Sequence, residues 1–103
     1  MFSIVETTTN SMKIAKTISD YLVLNKLSPC VQIVDNILSN YTWDKKPVSD
    51  NEILVKIKTR KSNINKVCQS IKKLHNYDNP ELISYSIGIE SDKYLKWFNE
   101  STM

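Results

Sequence analysis

One histidine, two cysteines and a tyrosine set among acids are the residues of this chain with most chemistry to offer. His75 opens the segment His75-Asn76-Tyr77-Asp78-Asn79-Pro80-Glu81-Leu82. Imidazole and thiolate suit copper and zinc, so His75 and Cys30 form the candidate metal pair. Tyr77, Asp78 and Glu81 offer oxygen, which suits a hard cation or a polar ligand. Lys58 shares a strand face with Lys56 and Arg60 and could hold an anion. Each residue also has a plainer use. A histidine at a helix end favours the C-terminal dipole. A cysteine after Pro29 packs as a small hydrophobe, and Cys68 falls on the apolar face of a helix. Asp78 and Asn79 are common turn formers.

The elements that must position these residues follow from pattern. Phe2 to Thr8 alternates apolar and polar residues and predicts a strand. Asn10 or Ser11 can cap a helix over Met12 to Leu27, with Ile14, Ala15, Ile18 and Leu22 on one stripe. Pro29 stops it. Cys30 to Asp44 is extended, with Val31, Ile33, Ile37, Tyr41 and Trp43 placed on one side and a bulge allowed at Asp35-Asn36. Asp44-Lys45-Lys46-Pro47 is a turn, and Glu52 to Arg60 the next strand. Ser62 or Asn63 caps a helix carrying Ile64, Val67, Cys68, Ile71 and Leu74. Pro80 can open a strand but cannot continue a helix, so the chain turns there. Glu81 to Ile87 is the last strand. Ser91 caps a short helix with Tyr94, Leu95, Trp97 and Phe98.

That order is β-α-β-β-α-β plus a C-terminal helix. It predicts an α+β, ferredoxin-like sandwich. Two right-handed crossovers put both main helices on one face of a four-stranded antiparallel sheet. The 103 residues make one domain. Hydrophobic content of 41% against 24% charged residues is an ordinary globular balance.

One length does not fit a small monomer. Val31 to Trp43, fully extended, spans about 43 Å. A domain of this size has a radius of gyration of only about 13 Å. The hairpin must bend or project, and a projecting hairpin with Tyr41 and Trp43 exposes aromatic surface. An oligomer that pairs hairpins and packs sheets resolves this.

Several segments together resemble the CutA family, the divalent-cation tolerance proteins. They are Lys26-Leu27 followed by Cys30-Val31, Tyr41-Thr42-Trp43, Lys56-Ile57-Lys58-Thr59-Arg60, the stretch from His75 to Ile83, and Tyr94-Leu95-Lys96-Trp97. The resemblance covers nearly the whole chain. It implies a homotrimer similar in assembly to the PII-type regulators, with hairpins pairing across subunits. It implies tolerance to copper and other divalent metals, with copper or zinc as the expected cofactor. This chain departs from the family pattern at four places. Thr7, or its neighbour Glu6, stands where some members end the first strand in cysteine. Leu74 replaces a second histidine, Asn76 a proline, and Lys45 the glycine of the hairpin turn.

The favoured reading is therefore a trimeric divalent-metal-binding, metal-tolerance protein. The alternative is a trimeric PII-like binding or scaffold module with a small-molecule site between subunits, drawing on Lys58, Tyr77, Asp78 and Glu81, and no essential metal. An enzyme is not expected, for the chain has no nucleophile motif and no glycine-rich phosphate loop. Nucleic acid is not expected either, because the strand from Ile53 to Arg60 lacks the aromatics that stack bases. Apolar runs are too short for a membrane span. Two cysteines without an export signal suggest a cytoplasmic protein with reduced thiols.

Overall fold

The computed structural model describes residues 1–103. Its elements are β1 (Phe2–Thr9), α1 (Met12–Leu24), β2 (Cys30–Trp43), β3 (Lys46–Arg60), a 3-10 turn (Lys61–Asn63), α2 (Ile64–Leu74), β4 (Ile83–Ile87) and α3 (Asp92–Glu100). The four strands form one antiparallel sheet in the order β2-β3-β1-β4. This is the ferredoxin-like arrangement that the pattern predicts.

The core lies between one sheet face and two helices. Val5, Val55 and Ile57 are fully buried from the sheet side. Ala15, Ile18 and Leu22 meet them from α1, and Val67 and Ile71 from α2. Alternation along β1 then sends Phe2, Ile4, Glu6 and Thr8 to the opposite face. That face is not bare, as the pattern alone implied. Helix α3 lies on it, with Phe98 fully buried and edge-on to Phe2 at 5.1 Å between ring centroids.

One helix boundary differs from expectation, for a local reason. Helix α1 ends at Leu24, not Leu27. The Leu27 N–H donates to the Leu22 carbonyl at 3.0 Å and Lys26 N–H to Val23 at 3.1 Å. With Lys26 at φ 57, this is a Schellman stop, and it ends the helix before Pro29 can act. Ser11 caps α1, accepting from the Ile14 amide at 3.2 Å. Asn63 heads α2 without a side-chain cap. Its side-chain amide donates instead to the Met103 carbonyl at 2.8 Å, which ties down the C-terminus.

The hairpin projects rather than bends, and the molecule measures 46 × 25 × 22 Å. Strand β3 begins at Lys46, six residues before the expected start, because the turn needs only Asp44 and Lys45. Both have positive φ, 50° and 63°. Those values suit the mirror-image turn that matches strand twist, and glycine is its usual occupant. The bulge falls where it was allowed. Val34 faces Leu54 and Ile37 faces Glu52, so Asp35 and Asn36 oppose Ile53 alone. Asn36 takes φ 61° there. The extra residue flips the alternation. Val31 and Ile33 pair with Ile57 and Val55 on the core face, while Ile37 and Tyr41 join the face of Glu52. The single apolar side read along β2 is thus two sides joined by a bulge.

Candidate functional site

The turn after α2 is fastened to the end of β1. Strand β4 pairs with β1 only from Phe2 to Glu6. Beyond it, the 75–77 segment takes over. His75 Nε2 donates to the Thr8 carbonyl at 2.8 Å. Thr9 Oγ1 donates to Asn76 Oδ1 at 2.6 Å, and Asn76 Nδ2 donates to Asn10 Oδ1 at 2.7 Å. The other ring nitrogen, His75 Nδ1, accepts from the Tyr77 amide at 2.9 Å.

This fastening aims Tyr77 across the base of the hairpin. Its hydroxyl donates to Glu52 Oε2 at 2.7 Å. Glu52 is only 8% exposed, and no protein donor reaches its other oxygen. Burial and the Glu52 carboxylate together hold the Tyr77 phenol well above its ordinary value. Burial pushes the His75 imidazole down, against opposing pulls from the Thr8 carbonyl and Glu52. Burial, then Glu6 and Glu52, push the Glu81 carboxyl up.

A cleft of about 900 Å³ opens between the hairpin and the turn. Tyr41, Trp43, Asp50 and Glu52 line it from the hairpin, and Tyr77, Asp78 and Glu81 from the turn. No lysine, arginine or histidine lines it. Tyr41 donates to Asp50 Oδ2 at 2.5 Å, and that bond leads the rise in its phenol's pKa.

The structure gathers some of the expected residues and separates others. Tyr77, Asp78 and Glu81 share the cleft. Lys58 does not. It sits under α3, with its Nζ 3.3 Å from the Tyr94 hydroxyl, in a smaller hollow of about 380 Å³. Cys30 is also remote. It pairs with Lys58, which pairs with Ile4. From there to Thr8, where His75 docks, is four residues of β1, about 13 Å, plus two strand spacings. His75 and Cys30 therefore cannot share an ion within one chain. No three residues among histidine, cysteine, aspartate and glutamate converge to hold a metal. A soft-metal centre of copper or zinc does not fit this donor set. Cys68 packs against the core, as expected, and burial raises its thiol. Glu52 is the site residue that pattern alone missed. It reads as one charge at the start of a strand, and only the bulge, which puts Tyr41 on its face, and the fastened turn build the cleft around it.

Fold and cleft together define a ferredoxin-like α+β domain with an acidic cleft at the base of a long hairpin. Comparison with known proteins gives the family. The profile of the CutA1 divalent ion tolerance proteins matches residues 3–101. The divalent-cation tolerance protein CutA of Thermus thermophilus is 35% identical over 102 residues, covering 99% of both chains. A solved structure of the divalent cation tolerance protein from the same organism superposes with a TM-score of 0.93 at 35% identity, over the whole of both chains. The chloroplastic CutA of Arabidopsis thaliana is 39% identical over 99 residues, which is 96% of this chain and 54% of that one. The chain thus spans about half the length of that plant relative and nearly all of the Thermus one. The chain belongs to the CutA1 divalent ion tolerance family.

Proposed function

We propose that this protein acts in divalent-cation tolerance as a cytoplasmic, non-enzymatic homotrimer that binds a cationic ligand at the hairpin-base cleft. One observation carries the reading. Glu52 is nearly buried, has one oxygen without a donor, and opens into a cleft with three further carboxylates and no cation. The free oxygen of Glu52 is open to the cleft, for the one buried side-chain polar atom without a partner is the Thr7 hydroxyl, and a cation entering there is drawn by four clustered carboxyl groups. A divalent ion here is held through oxygen, with the remaining donors supplied by the adjacent subunit. The projecting hairpin with Tyr41 and Trp43 exposed supports assembly, since such surface marks an interface.

A second reading has its own support. The cleft is far larger than a bare ion needs, and no three ligands converge within the chain. Both suit a PII-like module with a small-molecule site between subunits and no essential metal.

Sedimentation and calorimetry test these readings together. The expected result is a trimer at micromolar concentration that binds a divalent ion, with affinity at least tenfold weaker in Glu52→Gln. A monomer removes the assembly. A trimer giving no heat with any divalent ion removes the first reading and favours the second.

A further inference from the structure

We infer that His75 is a positioning residue and not a metal ligand: it hangs the 75–81 turn on β1 and sets Tyr77 against Glu52. Donors and acceptors decide the state of the ring. A backbone carbonyl only accepts, so the nitrogen 2.8 Å from the Thr8 oxygen carries the proton. A backbone amide only donates, so the nitrogen 2.9 Å from the Tyr77 nitrogen carries a lone pair. The ring is neutral, in the Nε2–H tautomer, with both nitrogens engaged.

A metal requires a free lone pair. The ring has one, on Nδ1, and the Tyr77 amide occupies it. Binding an ion there strips that amide of its acceptor and loosens the residue that reaches Glu52. The bond from His75 Nδ1 to an amide two residues on is the same closure that aspartate and asparagine make in turns. The tilted contact of the His75 and Tyr77 rings, 4.9 Å between centroids, holds the pair further. The consequence is selectivity. With its one imidazole turned inward, the cleft offers neither imidazole nor thiolate, and its charged side chains are carboxylates. That consequence for ligand choice rests on the cationic reading of the cleft. The tautomer and the positioning role do not.

The test uses the full chain with nitrogen-15 NMR. Free protein is expected to show Nε2 protonated and Nδ1 bare, and saturating zinc to leave both ring signals in place. A zinc-dependent shift of either ring nitrogen, or the opposite tautomer, overturns the inference. Two variants separate positioning from bulk. In His75→Asn, the side-chain oxygen stands close to where Nδ1 was and still accepts from the Tyr77 amide. In His75→Ala nothing does. Hydrogen exchange at Tyr77 is expected to stay within about threefold of the parent in the first variant. It is expected to rise about five- to tenfold in the second, with Val67 and Ile71 unchanged in both. Equal exchange at Tyr77 in both variants and the parent overturns the positioning role. Calorimetry with magnesium and with zinc runs alongside. If the parent binds neither, the cationic reading fails, and the ring and amide signals still decide this inference.

Discussion

The Tyr77 hydroxyl donates to Glu52 Oε2 at 2.7 Å, joining the turn after α2 to the base of the β2–β3 hairpin. No other side-chain bond links the turn to the hairpin across the cleft. Replacing Tyr77 with phenylalanine removes the donor and leaves a nearly buried carboxylate with neither oxygen paired. The expected cost is about 1–3 kcal/mol of stability. A lower urea midpoint with an unchanged slope checks it. An unchanged midpoint means that solvent already serves Glu52.

Acid destabilises the protein through His75. Its imidazole is pushed below the ordinary value of 6.5 by burial. The unfolded chain therefore binds the proton more readily than the folded one. Stability contributed by the neutral ring is present above pH 6.5 and is lost as pH falls from there through the folded value. The phenol of Tyr77 is the titratable group next to it on the turn, and, held above its ordinary value, it stays protonated across that window. Urea midpoints measured from pH 8 to pH 5 are expected to fall in the parent, with a shallower slope in His75→Asn. Parallel slopes contradict the assignment.

The hairpin turn is strained by its residues. Asp44 and Lys45 hold φ of 50° and 63° without glycine. A left-handed residue with a Cβ costs about 1–2 kcal/mol relative to glycine. Lys45→Gly is expected to raise the melting temperature, and Lys26→Gly at the α1 stop to do the same. Calorimetric melting of each variant checks this.

Much of the fold was legible from the amino-acid pattern, and the candidate site much less so. Ala15, Ile18 and Leu22 recur with the helical period, and Val55 and Ile57 with the strand period, because one buried face forces each spacing. The cleft has no such period. Tyr41 comes onto the face of Glu52 through a bulge, a local count of residues that alternation along β2 did not carry to its end. His75 was legible as unusual, and its two bonds were not. Those bonds depend on β4 stopping short of Thr8, which no local pattern marks. The Schellman stop at Lys26 was hidden in the same way, since lysine is an uncommon residue for a left-handed position.

Thr7 offers a stability test apart from the site. Its hydroxyl is fully buried on the core face and has no hydrogen-bond partner. Valine has nearly the same shape without the polar atom. Thr7→Val is expected to stabilise by about 1 kcal/mol, because an unmade buried hydrogen bond is removed. A loss of stability on chemical denaturation shows that the hydroxyl is satisfied in solution.

The long hairpin also bears on the order in which the chain assembles. Its strands close through two residues, so Trp43 finds Lys46 at almost no cost in loop entropy, and the pairing can zip outward from there. The β1–β4 pairing instead brings Phe2 to Ile87, from nearly opposite ends of the chain. Distant pairings are slow, because the chain gives up its freedom before the contact repays it. The part of the molecule that reaches furthest into solvent is thus the part that forms first. The short edge strand β4 joins late, and until it does the outer edge of β1 stands open to any extended segment nearby.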